Sequence, residues 1–294
     1  MNPREKGFLL LTGFLGDPER KPLTTVRLRE LTKKARLMEK PDVKRELTLQ
    51  DLQLIGCGRE EAERILHLLS QEEQLLRYVE NAAKWDCYPL TRVSEHYPTQ
   101  LRKALALEAP GSLWYKGEIS ILDKPKISLV GSRDLQKQNR EFAYQVGVQS
   151  ARQGYVLVSG HARGADKAAE EACLENGGQV ISVVSDPLKD HPLQKNVLYL
   201  AEDGFEIAFS PYRALSRNRI IHALSEKTFV AQCTLEKGGT WDGTCKNLRH
   251  SWSQVFCYRD GSTASLELEQ IGAVLIDSAA LQDISSLYQE ITFF

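Results

Sequence analysis

From Lys126 onward the chain alternates short apolar runs with longer amphipathic ones. The runs KISLVGS, YVLVSG, QVISVV, EIAFS, TFVAQC, QVFCYR and AVLI predict strands, and several are near-continuously apolar, as strands buried on both faces are. Between the first two, LQKQNREFAYQVGVQSARQG places Phe142, Ala143, Val146 and Ala151 near helical spacing and closes on Gly154, a candidate C-cap. This alternation predicts an α/β chain with a Rossmann-like, doubly wound, mainly parallel sheet covered by helices.

Upstream the pattern changes to helices alone. TTVRLRELTKKARLMEK sets Leu28, Leu31, Ala35 and Met38 on one helical face, and Arg20 to Arg45 carry ten Lys/Arg against three Asp/Glu. A solvated amphipathic helix is the simplest reading of that charge run. LTLQDLQLIGCGREEAERILHLLSQ then gives two short helical patterns joined by IGCG. Such a hairpin either aims backbone N–H groups at a phosphate or forms a plain helical corner, and the sequence leaves both open. HYPTQLRKALALEAPGSLWYKGEI links the halves, with turns at Pro98, Pro110 and Gly111. The expected division is a basic helical extension over 1–46, a helix-hairpin-helix-like domain and linker over 47–123, and the Rossmann-like core over 124–294.

Composition narrows the function classes. A net charge of −1 in 294 residues excludes a chain that is basic overall, so any polyanion site must be built from locally clustered cations. The six cysteines have no CxxC pair and no zinc-site spacing, which predicts reduced thiols in cytoplasm and no metal centre. GFLLLTGFLG near the start follows Arg4 and Lys6, but Glu5 and the charged DPERK fit a signal peptide poorly, and no run is long enough to span a bilayer.

In an open α/β sheet, ligands bind beyond the carboxyl ends of the strands. The loops expected there carry glycines and cations: GSR at Gly131, Ser132 and Arg133; SGHARGAD from Ser159; SPYRALSRNRII; and TLEKGGTWDG. Their convergence would gather Arg133, His161, Arg163, Lys167, Arg213, Arg217, Arg219 and Lys237 beside the turns at Gly160, Gly164, Gly238 and Gly239. Gly160 and Gly164 permit close backbone approach, a helix starting near Gly164 offers its positive end, and Arg163 supplies a fork suited to phosphate. A tight turn with Arg163 paired to Asp166 is the plainer alternative. GxGxxG and Walker signatures are absent. Ser159, His161 and Asp166 crowd one turn too closely for a hydrolytic triad, and no catalytic acid–base pair is evident, so no catalytic residue, enzymatic activity or cofactor is expected. Tyr212 and Trp241 near this edge suit base stacking, with ordinary packing as the alternative for each.

The order of GSR, SGHARGAD, GGQVISVV and SRNRIIHALS resembles the DNA-processing protein A family, also called Smf, over roughly residues 50–277. The resemblance implies a Rossmann-like core behind a small helical domain, binding of single-stranded DNA, a homodimer, and loading of a RecA-like recombinase during natural transformation. Carried over by motif, the DNA pocket would comprise Gly131, Ser132, Arg133, Ser159, Gly160, Arg163, Gly164, Arg217, Asn218 and Arg219. The chain departs from the family pattern at Ala165, at the abbreviated FSPYRALSRNR, at Gln232 and in KGGTWDGTCKNL, which implies a specialised relative, for instance one partner of a phage-defence or toxin–antitoxin pair. KGGTWDGT also resembles the phosphate-gripping loop of lysine-decarboxylase-like phosphoribohydrolases. That implies the alternative of a nucleotide sensor or hydrolase, although Lys237 replaces the loop's proline and its glutamate is missing.

Overall fold

The computed structural model describes residues 1–38 and 46–289. Among the described residues five helices come first: α1 (Pro3–Thr12), α2 (Thr25–Arg36), α3 (Leu49–Leu54), α4 (Arg59–Ser70) and α5 (Glu72–Ala83). Helix α1 starts on an Asn2–Glu5 capping box, in which each residue's side chain serves the other's backbone N–H. The IGCG turn joins α3 to α4, with Gly56 at φ +89°. Of the apolar stripe expected on α2, Leu31 is buried and Leu28 and Met38 pack beside it, while Ala35 is exposed. Residues 39–45 of the basic stretch lie outside the described residues.

The remainder runs β1 (Tyr88–Thr91), α6 (Thr99–Leu105), β2 (Ser112–Gly117), β3 (Lys126–Val130), α7 (Lys137–Arg152), β4 (Val156–Ser159), α8 (Ala165–Glu175), β5 (Gln179–Val183), β6 (Val197–Glu202), α9 (Pro211–Ser216), α10 (Asn218–Ala223), β7 (Lys227–Val230), α11 (Gly238–His250), β8 (Gln254–Tyr258), α12 (Thr263–Gln270) and β9 (Val274–Ile276). Among the described residues the strands form one sheet ordered β1-β2-β6-β5-β4-β3-β7-β8-β9. From β6 to β9 every pairing is parallel, whereas β2 is antiparallel to both β1 and β6.

The doubly wound α/β expectation therefore holds, with an antiparallel extension at one edge. Two local readings are corrected. EIAFS, Glu206–Ser210, is not a strand, and the neighbour of β5 is Val197–Glu202. The stretch read as a linker contains β2, whose Leu113 and Trp114 are buried. Pro89 is tolerated in β1 because an edge strand need not donate on both sides.

Apolar residues bury on both faces of the sheet, as the near-continuous strands predicted. One layer packs Phe142, Ala143 and Val146 of α7 and Ala169 of α8 with Leu129 and Phe229, and extends to Leu9, Leu10, Tyr78 and Trp114. Tyr78 meets Trp114 edge-on at 5.3 Å between ring centroids, joining the N-terminal helices to the sheet. The other layer packs α6, α10 and α12 against β3, β5 and β8. The strand order reverses direction between β3 and β7, and in a doubly wound sheet that switch point opens a crevice at the carboxyl ends.

Candidate functional site

A cleft of about 620 Å³ opens at this switch point. Gly131–Arg133 line it from the end of β3, Ala162 and Asp166 from the β4–α8 turn, Arg217, Asn218 and His222 from α10 and its start, and Thr234 with Lys237–Thr240 from the β7–α11 turn. Glycine brings two of these loops into backbone contact. Gly164, at φ +92°, lies against the carbonyls of Ser132 and Arg133, where a β-carbon would stand 2.5 Å from each oxygen. The Ala165 N–H then donates to Ser132 O at 3.2 Å, fixing the GSR loop to the start of α8.

Behind the cleft lies a buried charge cluster. The Arg217 guanidinium packs directly on Gly160, so closely that any β-carbon there would overlap it. Its Nε is buried without a hydrogen-bond partner among the described residues, and burial lowers its pKa. Asp166, in the first turn of α8, accepts the Gly160 N–H at 3.1 Å and the Ala162 N–H at 3.2 Å. Burial pushes its pKa up to about 6, against the pull of Arg217. Glu170, one turn further, accepts from the hydroxyls of Ser159 and Ser182 and pairs with His161 Nδ1 at 2.7 Å. That hydrogen bond raises the His161 pKa. His161 sits at φ +56°, with its ring edge-on to Tyr199.

The site residues expected from sequence thus divide. Gly131, Ser132, Arg133, Arg217, Asn218, Lys237, Gly238 and Gly239 line the cleft together. Ser159, Gly160, His161 and Gly164 shape its supporting turn, the first and third through Glu170. Arg163 and Lys167 are exposed outside the lining, and Lys167 lies 3.6 Å from Glu171. Arg219 turns away into an ion pair with Glu202, and Arg213 donates to backbone carbonyls. Gln232, one of the departures from the family pattern, accepts the Gln136 N–H at 2.9 Å and so braces the loop that follows β3. Asp166 and Glu170 as an anionic counterweight to Arg217 escaped the sequence reading. The six-residue spacing from Gly160 to Asp166, which lets a carboxylate reach back to the turn, was the available signal for the first.

His222 lies fully buried in the cleft's floor, and burial lowers its pKa to about 3. Because Asn247 Oδ1 accepts the Ser253 N–H, its amide nitrogen faces His222 Nδ1 at 3.1 Å, so the imidazole is neutral with its proton on Nε2.

A mixed, doubly wound sheet with a glycine-lined cleft at its switch point defines the class: a Rossmann-like α/β protein. Residues 89–259, more than half of the chain, match the family model for DNA recombination-mediator protein A, and the chain belongs to that family. It is 32% identical over 219 residues to DNA processing protein DprA of Streptococcus pneumoniae, covering 69% of this chain and 72% of that relative. The solved structure of DprA from the same organism superposes with a TM-score of 0.71 at 26% identity, over 92% of this chain and 95% of that one. A structure of DNA processing protein A from Helicobacter pylori, described for its single-stranded DNA binding mode, gives a TM-score of 0.56 at 21% identity over 67% of this chain and 94% of that one, a likeness of fold alone.

Proposed function

We propose that this chain binds single-stranded DNA by its phosphates in the switch-point cleft. The observation that carries the reading is the convergence of Arg133, Arg217 and Lys237 with glycine turns and the start of α11 on one cleft of a protein with a net charge of −1. Arg217 lines the cleft with its guanidinium held over Gly160, and helix N-termini complement phosphate. Family membership supports the narrower parts of the proposal: protection of the strand, delivery to a RecA-like recombinase, a homodimer, and a binding rather than catalytic role in the cytoplasm. The altered loops at FSPYRALSRNR and KGGTWDGT support specialisation, such as sensing DNA beside a cognate toxin or defence protein.

The test is fluorescence anisotropy with a labelled single-stranded oligonucleotide, titrated with salt and competed by duplex DNA and mononucleotides. Arg133→Ala should weaken binding across sequences and reduce the salt slope by about 0.7, the value for one phosphate contact on a single strand. Unchanged affinity and slope would remove Arg133 from the interface. Competition by mononucleotides alone would move the site to a nucleotide ligand.

A further inference from the structure

The cleft has an apolar wall that phosphate binding does not use. None of the six residues of α9 is buried, and Phe209, Tyr212 and Leu215 are 52%, 78% and 50% exposed. Tyr212 and Leu215 share a helical face three residues apart. Phe209, Pro211, Ala214 and Leu215 line the same cleft as the GSR and KGG loops, and Leu215 would be 3.1 Å from a β-carbon on Gly239.

Burial of these side chains is not what fixes the helix. Ser210 caps it by accepting the Arg213 N–H at 3.1 Å, and Pro211 presets its first turn. Arg213 then donates to the carbonyls of Ser185 at 2.6 Å, Ile207 at 2.7 Å, Ala208 at 3.1 Å and Glu202 at 3.1 Å. A short helix locked by its one inward cation presents aromatic surface outward at a defined place. Rigid aromatic surface beside a cationic groove is the pairing that single-stranded nucleic acid recognises, because every base has a face to stack and every linkage a charge.

We infer that Tyr212, on the same helical face as Leu215 and just outside the residues that line the cleft, is a base-stacking platform for the strand whose phosphates lie in the cleft. This rests on the DNA-binding reading above and adds the path of the bases. Continuity with the cationic loops selects this occupant, since an apolar partner surface would complement α9 and leave Arg133 and Lys237 unmatched.

The experiment compares wild type, Tyr212→Ala and Tyr212→Phe on a thymidine oligonucleotide and on an abasic strand of equal length, each across a salt series. Tyr212→Ala should lose fivefold or more in affinity for the thymidine strand, the low end of aromatic stacking, with the salt slope unchanged. Tyr212→Phe should stay within about twofold of wild type, and the abasic strand should bind wild type and Tyr212→Ala alike. Equal affinities of wild type and Tyr212→Ala for the thymidine strand, or an equal loss on the abasic strand, would overturn the platform while leaving the phosphate cleft standing. A Tyr212→Ala protein that sediments as a smaller species while binding DNA normally would assign the face to a second copy of the chain instead. Failure of wild type to bind any strand would remove the DNA-binding reading itself.

Discussion

Replacing Gly160 by alanine puts the packing of Arg217 to a direct test. A β-carbon at Gly160 would overlap Nη1, Cζ and Nη2 of Arg217, too deeply for a shift of a few tenths of an ångström to relieve. Gly160 is not among the positive-φ residues, so alanine costs little in backbone strain and the effect must pass through the guanidinium. The arginine must leave a place where it is buried against Asp166. Breaking a buried pair by removing one partner costs about 3–5 kcal/mol when the remaining charge stays. Asp166, with its pKa already near 6, instead takes up a proton at pH 7 for about 1.4 kcal/mol, and the lost arginine packing adds about 1 kcal/mol. Urea melts of Gly160→Ala should therefore show a loss of about 2–3 kcal/mol at pH 7 and about 1 kcal/mol at pH 5, where Asp166 is already mostly protonated. In an Arg217→Ala background the same substitution should cost less than about 0.5 kcal/mol, because nothing is left to displace. Equal costs in the two backgrounds would refute the placement of Arg217 over Gly160.

Asp166→Asn should flatten part of the pH–stability profile. A carboxylate whose folded pKa is raised from 3.8 to about 6 contributes stability below pH 4 and loses it as pH rises through 6, so wild type should lose about 3 kcal/mol relative to the variant between pH 4 and 7. Parallel profiles would show that Asp166 titrates normally. Arg219→Ala, which removes the partner of Glu202, should lower stability by about 1–3 kcal/mol and leave strand affinity and salt slope unchanged. A shallower salt slope in that variant would return Arg219 to the DNA interface.

The sheet was legible wherever a strand is an apolar run flanked by helices, as β3, β4, β5, β7, β8 and β9 are. It was not legible at β6, because β5 and β6 are joined by a single 3₁₀ turn, Leu188–Asp190, rather than a full helix. A strand–helix–strand rhythm therefore overshot Val197–Glu202 and settled on EIAFS. β1 was hidden by the proline inside it, Pro89, and β2 by Pro110 just ahead of it and by pairing with a strand some 80 residues away. At the site, glycine spacing and cation content marked the loops that converge on the cleft, but composition does not encode direction. Arg217 and Arg219 stand two apart on adjoining helical turns, so they cannot share a face, and only one meets the cleft.

The position of β2 between β1 and β6 also orders the assembly of a growing chain. Ser112–Gly117 has no partner on its β6 side until Val197–Glu202 leaves the ribosome, roughly 80 residues later, or about 4–16 s at ordinary rates of synthesis. For that interval a hairpin carrying Leu113 and Trp114 has an open edge, the kind of surface that recruits stray strands from other nascent chains. Helices α1 and α5 are made before it, and in the folded protein Tyr78 of α5 covers Trp114, so the apolar face of the waiting strand has its packing partner ahead of its pairing partner.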